Sequence, residues 1–276
     1  MTDRGVRKSV VANLGGDYSK LFANAEFLKE PDITFANLEG PASDKGVNMQ
    51  NLYSFRMDPE GTISALKRAG IDVVSVANNH EGDYGRAAYE DTLKRLHDAD
   101  ILTCGGGMNK TEAETPAIIS QSGFTVGYLC FTDVGPDDMA ATDTKSGLLL
   151  ASDKKFDEII RNAASQVNAL IVSFHFGVEY QTVHNARQEK LAKEAIDDGA
   201  VMVVGGHPHV PEEIIPDYHG APIVYSLGNL IFDQGFSGKT ITGLYVTATL
   251  NGKSVSDVTP HTTVLDSNFA VSLEKK

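Results

Sequence analysis

The feature that most constrains this chain is a short β-branched run, residues 203–210 (VVGGHPHV), that ends in two glycines and two histidines. A β-branched run bounded by glycine predicts a buried strand with the histidines at its end. Because alternate residues of an extended backbone point the same way, His207 and His209 can face one site. Imidazole nitrogen is a common ligand of zinc, iron, nickel and copper. The pair by itself leaves a structural or surface role equally open.

Helical and strand-like patterns alternate from one end of the chain to the other, which predicts an α/β sheet with covering helices. We expect helices over residues 18–28, 58–70, 85–98, 152–167 (capped by Ser152) and 186–198. Strands are expected near residues 33–36, 72–76, 101–104, 169–174, 201–206 and 223–226, with hairpins over 117–131 (turned at Ser122-Gly123) and 244–258 (turned at Asn251-Gly252). Since no repeat or low-complexity linker divides the pattern, we expect one domain over residues 1–276.

Composition narrows the possible partners. The net charge of −13 argues against nonspecific nucleic-acid binding, so an anionic substrate needs a local positive site such as a metal ion. No apolar stretch approaches the roughly 20 residues of a membrane span, and residues 1–5 lack the apolar segment of a signal peptide. Cys104 and Cys130 lie in apolar, strand-like stretches, where buried free thiols are expected rather than a disulfide.

Ligand-type side chains recur just beyond the carboxyl ends of the predicted strands, the edge where ligands bind in open α/β sheets. They are Glu39, Asn79, His80, His175, His207 and His209. Each has an alternative: Glu39 as a carboxylate at a helix start, Asn78 and Asn79 as a turn, and His80 or His175 as hydrogen-bonded core residues. Their repetition at successive strand ends favours a shared site.

Five segments resemble, in the same order, the bacterial capsule synthesis family CapA, called PgsA in producers of poly-γ-glutamate. They are residues 37–40 (NLEG), 77–85 (ANNHEGDYG), 175–179 (HFGVE), 206–210 (GHPHV) and 225–234 (YSLGNLIFDQ). The resemblance covers residues 3 to about 235. It implies a calcineurin-like metallophosphoesterase fold, a four-layer α/β/β/α sandwich with two metal ions.

The resemblance also implies roles for individual residues. Glu39 matches the carboxylate that bridges two metals, Asn79 matches an amide ligand, and His175, His207 and His209 match the imidazole ligands. His80 matches the catalytic histidine that contacts the substrate oxyanion or protonates the leaving group. Asn78, Glu179, Asn229 and Asp233 are expected to orient these ligands or to contact substrate, although local turns or core hydrogen bonds explain them equally well. The metals implied are divalent ions of the manganese, iron or zinc type.

One departure concerns the start of the domain. Proteins of this family begin with an apolar strand that ends in Gly-Asp-x-Met, whose Asp is a metal ligand. Residues 1–6 align with that Met and the residues after it, so the strand and its Gly-Asp are not in the printed sequence. Asp3 is expected in a loop that leads away from the site. A truncated chain and the loss of one metal position both explain this pattern.

Two functions remain open for the sequence. The first is a metal-dependent hydrolase of a phosphoester or another linkage in a cell-envelope polymer, and the retention of His80 favours it. The second is a non-catalytic binding or assembly module for an anionic polymer such as poly-γ-glutamate, and the missing Gly-Asp favours it. The resemblance implies an extracytoplasmic, membrane-associated setting for full-length proteins, with other capsule synthesis proteins as possible partners and no nucleic acid.

Overall fold

The computed structural model describes residues 1–121 and 123–275. Ser122, half of the predicted first hairpin turn, lies outside the described residues. The helices of the described part are α1 Arg4–Asn13, α2 Pro59–Arg68, α3 Gly85–Asp98, α4 Lys110–Glu114, α5 Phe156–Ala164 and α6 Ala186–Asp197, with short 3-10 helices at Tyr18–Phe22, Glu26–Lys29 and Asp137–Met139. The strands are β1 Phe35–Asn37, β2 Val73–Ser75, β3 Leu102–Cys104, β4 Gly106–Gly107, β5 Ala117–Gln121, β6 Phe124–Thr132, β7 Gly147–Leu148, β8 Ala169–His175, β9 Met202–Gly206, β10 Ile214–Tyr218, β11 Ala221–Val224, β12 Thr242–Asn251, β13 Ser254–Leu265 and β14 Val271–Leu273.

The largest sheet has six strands in the order β10-β11-β9-β8-β6-β5. Its four inner strands are parallel, and β10 and β5 pair antiparallel at the edges. Every residue of β8 is buried, as expected for a parallel strand covered on both faces. The register places His175 beside Gly206 of β9, so the ends of β8 and β9 meet at one edge.

Two smaller sheets complete the β-structure around the site. One has the parallel order β1-β2-β3, and its register aligns Asn37, Ser75 and Cys104 at the strand ends. The other is the antiparallel sheet β12-β13-β14. β4 and β7 form a further two-stranded pair.

The layers are defined by three apolar clusters. One cluster joins α1, α2 and α3 to the β1-β2-β3 sheet, and a second joins α5 and α6 to the six-stranded sheet. Between them, side chains such as Val73 and Val126 pack the two sheets face to face. The molecule is therefore the helix–sheet–sheet–helix sandwich that the resemblance implies.

A cavity of about 890 Å³ lies between β1 and β12. Consecutive residues of both strands line it, 33–39 on one side and 244–250 on the other. Among the described residues β1 pairs only with β2, and β12 pairs with β13 apart from contacts near Gly243. Each strand therefore presents one unpaired backbone edge to this cavity, which we call the interstrand slot.

Most predicted elements are present, and the differences have local causes. The expected helix over 18–28 is two 3-10 helices, because Asn24 between them forms a bridge with Ser272. Ser152 does not cap α5, which begins at Phe156 after a turn in which Asp153 accepts from the Lys155 backbone. The loop expected near Asp3 leads directly into α1.

The expectation for the cysteines was wrong. Cys104 at the end of β3 and Cys130 in β6 are joined by a disulfide, with Cα atoms 5.4 Å apart. Their strands belong to different sheets, and face-to-face packing brings them together. The 26-residue sequence separation gave no sign of this contact.

Within the described ranges, no helix combines the length and the apolar character needed to cross a bilayer.

Candidate metal and catalytic site

The ends of four strands bring the predicted ligands together. Glu39 lies two residues after β1, Asn79 follows β2, His175 ends β8 and His207 follows β9. The His175 and His207 rings are 4.9 Å apart, and the His207 and His209 rings 6.1 Å. His175 Nε2 is 2.8 Å from Asn79 Oδ1, and His209 Nε2 is 3.7 Å from Glu39 Oε1. The five side chains expected to hold metal therefore share one cleft.

The turn that carries two of these histidines is conformationally unusual. His207 and His209 have φ values of 101° and 60°, a left-handed region that costs non-glycine residues about 1–3 kcal/mol each. Gly205 before them permits close packing, since a Cβ there would lie 2.1 Å from the Tyr225 carbonyl oxygen. A strained backbone at both residues indicates that the positions of the two imidazoles matter for the function of the site.

Asn229 determines which nitrogen of His209 is free. Its Nδ2 donates to the Thr240 carbonyl, which leaves its Oδ1 to accept from His209 Nδ1 at 2.9 Å. The Nε2 atom of His209 therefore keeps its lone pair on the side of Glu39, as a metal ligand requires. This geometry fits the orienting role expected for Asn229.

His80 is held by a residue for which the sequence suggested no role. Its Nδ1 lies 2.9 Å from Oδ2 of Asp83, which also accepts from the Phe55 backbone. Because a carboxylate only accepts, Nδ1 carries the proton and Nε2 is left for exchange. The signal was the His-x-x-Asp spacing in the turn before α3, where the Asp83 backbone N–H donates to the His80 carbonyl and the two side chains lie on one turn.

Asn78 ties two strand ends together beneath the site. It is fully buried, its Nδ2 donates to the Leu38 carbonyl, and its Oδ1 accepts from the His80 backbone. The polypeptide before Glu39 and the polypeptide at His80 are therefore held in fixed relation.

The structure does not bring two other predicted residues to an imidazole. Glu179 is exposed, and within residues 1–121 and 123–275 it makes no hydrogen bond to a site histidine. Asp233 Oδ2 accepts from the Gly5 backbone at 2.8 Å and pairs with Arg4 Nε at 3.2 Å. Asp233 therefore caps the amino terminus of α1 and holds Arg4.

Burial favours the neutral form of His175 and His207. It lowers the pKa of His175 well below the ordinary value, and the neighbouring His207, His209 and His80 add to the effect. Burial also lowers the pKa of His207. Glu81, next to His80, is fully buried, and burial raises the pKa of its carboxyl well above the usual range. Neutral imidazoles are the form that binds metal.

The side chains gathered here have the chemistry to bind a divalent ion. Glu39 Oε1 and His207 Nδ1 are buried and have no hydrogen-bond partner among the described residues, which is costly unless another group binds them. Among the described residues, no three His, Cys, Asp or Glu side chains form a ready-made metal cluster. Asn79 Oδ1 and His175 Nε2 contact each other instead. One carboxylate, one amide and three imidazoles suit manganese, iron or zinc in their chemistry.

Comparisons of the sequence with known proteins give matches over most of the chain. A family model described as bacterial capsule synthesis protein PGA_cap matches residues 1–234. The chain is 32% identical over 270 residues to the capsule biosynthesis protein CapA of Bacillus anthracis, covering 92% of this chain and 63% of that protein. It is 33% identical over 219 residues to the PGA biosynthesis protein CapA of Bacillus subtilis, covering 76% and 56%. The chain thus spans less than two thirds of either relative.

Solved structures show the same fold. A phosphatase from Mycoplasma pneumoniae matches with a TM-score of 0.53 and 13% identity, covering 95% of this chain and 89% of that one. A 5′-nucleotidase precursor from Thermus thermophilus matches with a TM-score of 0.54 and 16% identity, covering 92% and 49%. At these identities the likeness concerns the fold alone.

Proposed function

Because the chain belongs to the bacterial capsule synthesis protein family PGA_cap, we propose that it is a metal-dependent hydrolase of an ester or related linkage in an anionic envelope polymer. The observation that carries the proposal is the convergence of Glu39, Asn79, His175, His207 and His209 beside a carboxylate-held His80. The names of the two relatives refer to capsule and PGA biosynthesis, which supports an anionic envelope polymer as the substrate class.

The residues have distinct roles in this proposal. Glu39, Asn79 and the three imidazoles would hold divalent ions, which supply a bound water of lowered pKa and a charge clamp on the substrate. His80 would act in its doubly protonated form, in which Asp83 accepts from Nδ1–H and offsets the positive charge while Nε2–H donates its proton to the leaving oxygen. Phe55, whose ring is 4.1 Å from the His80 ring, limits water around this imidazole.

A second function is favoured by the charge of the site. Glu39 is the one carboxylate of the described residues within 4.0 Å of a predicted imidazole ligand, and one carboxylate offsets little of the charge of two dications. A module that holds an anionic polymer in capsule assembly, without hydrolysing it, needs only the positive charge. Other capsule synthesis proteins would be its partners in an envelope setting.

Turnover of bis(p-nitrophenyl) phosphate and of p-nitrophenyl phosphate with added Mn²⁺ separates the two functions. A hydrolase gives metal-dependent release of nitrophenol that a chelator removes and that Mn²⁺ restores. Metal-dependent binding of phosphate without turnover of either ester would contradict the hydrolase and support the binding module.

A further inference from the structure

Arg4 is the first residue of α1 and has a φ of 53°, a region unfavourable for a long side chain. Its side chain is 42% exposed, although its Nε pairs with the nearly buried Asp233. A strained residue that keeps a charged group accessible at a cleft is a candidate for function.

The position of this guanidinium is defined from two sides of the site. Its Cζ lies 5.3 Å from the centre of the Phe55 ring, and that ring contacts His80. On the other side, Phe232, the neighbour of Asp233, has its ring 4.6 Å from the His209 ring. The Phe55 ring therefore lies between Arg4 and His80. Phe232 links Asp233, the partner of Arg4, to His209.

The hydrogen-bonding capacity of Arg4 is only partly used. Asp233 Oδ2 pairs with Arg4 Nε and accepts a hydrogen bond from the Gly5 backbone N–H. In residues 1–121 and 123–275 no acceptor bonds to Nη1 or Nη2 of Arg4, whereas Arg56 and Arg187 bond carbonyl or carboxylate oxygens through theirs. Two parallel N–H donors on one guanidinium match the two oxygens of a carboxylate or phosphate.

We infer that Arg4 forms an anion subsite beside the metal site and binds a second anionic group of a chain-like substrate. The inference rests on the proposed function, and it adds the residue that contacts a second anionic group of the polymer. The chain carries a net charge of −13, so an extended anion can approach only where local positive charge offsets repulsion. Ions at the imidazoles would take one anionic group, and Arg4 takes the next along the chain.

The exposed rim beside Arg4 suits the apolar links of such a chain. Tyr180 and Phe236 are 43% and 67% exposed and pack edge to face at 5.3 Å. Tyr180 also stacks near His209, with rings 6.1 Å apart. Aromatic faces at a polar cleft bind methylene segments between charged groups.

Equilibrium binding in excess Mn²⁺ tests the subsite without requiring turnover. The probes are inorganic phosphate, a γ-linked glutamate hexapeptide and its neutral γ-linked glutamine counterpart. The wild-type chain should prefer the glutamate peptide. Arg4→Gln should lower the affinity for the glutamate peptide about tenfold or more, while the affinity for phosphate changes less than twofold. The affinity of Arg4→Lys for the glutamate peptide should lie between those of the wild-type chain and Arg4→Gln, because an ammonium keeps the charge but lacks the planar pair of donors of a guanidinium.

Arg161→Gln is the matched control, since Arg161 pairs with Asp198 on the outer helices, and it should leave all three affinities unchanged. Unchanged affinity of Arg4→Gln for the glutamate peptide overturns the inference. An equal loss for phosphate, with a lowered melting temperature, also overturns it by showing a structural role. If Arg4→Gln selectively loses affinity for the glutamate peptide and the wild-type chain hydrolyses no ester, the subsite is supported and only the hydrolase proposal is contradicted.

Discussion

At the scale of single residues, Glu212 shows how buried acids support the site from behind. It is 6% exposed, and its Oε2 accepts from Gln188 Nε2 at 2.6 Å. Gln188 in turn packs under Gly177, where a Cβ would lie 2.8 Å from its side chain. Since Gly177 follows His175 by two residues, this pair braces the end of β8.

Burial raises the pKa of Glu212 to about 6, from an ordinary value of 4.5. The folded state thus holds the proton more tightly than the unfolded chain, and this stabilising effect is present below pH 4.5 and lost as pH rises through 6. We expect Glu212→Gln to raise the free energy of unfolding at pH 8 by up to about 2 kcal/mol, and by little at pH 4.5. Urea denaturation at both pH values measures this.

The neighbouring Glu213 is the control for that prediction. Burial there is outweighed by hydrogen bonds and by His184, so its pKa is lowered. Glu213→Gln should therefore lower stability at pH 8, where the native carboxylate is favoured. Equal effects of the two substitutions at the two pH values would contradict the assignment.

His80 is the residue on which hydrolysis depends in the proposed function. His80→Ala should lower turnover of a chromogenic ester by roughly 10²–10⁴ while the metal content stays unchanged, because His80 supplies a proton rather than a ligand. Metal analysis beside the assay measures both quantities. His219→Ala, which removes an exposed histidine paired with Asp197, should keep full activity. Loss of metal with His80→Ala would make this residue a ligand or a structural group instead.

At the scale of elements, α6 begins with a reciprocal capping box. The Asn185 side chain accepts from the Gln188 backbone, and the Gln188 side chain accepts from the Asn185 backbone. Because Gln188 also contacts Glu212, the start of this helix is tied to the loop that follows His209. The cap thus links helix formation to the placement of the site.

Asn185→Ala should lower the free energy of unfolding by about 1 kcal/mol, the usual cost of losing an N-cap side chain. Asn162→Ala, in the exposed last turn of α5, is the control and should not destabilise, because alanine has a higher helix propensity than asparagine. Urea unfolding at pH 7 compares the two. A similar loss for both variants would show that the capping box contributes nothing specific.

At the scale of the whole molecule, the ligands beside the interstrand slot determine how many metal ions the chain binds. We expect residues 1–276 to bind at most one divalent ion tightly, through Glu39, Asn79, His175 and His207. Among the described residues, Glu39 is the one carboxylate within 4.0 Å of His209, and one carboxylate offsets little of the charge of two dications. Elemental analysis of the purified chain measures the stoichiometry. Two tightly bound equivalents would show that another residue supplies the ligand.

The slot also predicts which added segment would create a second metal position. An apolar strand ending in Gly-Asp, fused ahead of Met1, can hydrogen-bond to the free edges of β1 and β12 and join two three-stranded sheets. We expect this fusion to bind two ions and to raise the melting temperature by several degrees. A fused Gly-Ser segment of equal length should do neither. Equal behaviour of the two fusions would contradict a strand-binding slot.

Local pattern was sufficient for much of the fold. The helical spacing of residues 85–98 and the unbroken apolar run before His175 predicted α3 and β8, because periodicity and burial report directly on element type. The Asn251-Gly252 turn likewise predicted the β12–β13 hairpin. The short α1 was missed, although Val6 and Val10 have helical spacing and are both buried.

The sequence by itself determined which residue types stand at the strand ends, and so the chemistry the site can offer. Tertiary structure alone decided which ends meet: strand register brings His175 to His207, and sheet packing joins Cys104 to Cys130. It also decided that Asp233 binds α1 and so places Arg4 at the cleft. The physical reason is that local backbone preferences act over a few residues, whereas these contacts depend on the packing of whole sheets and on hydrogen bonds between distant segments.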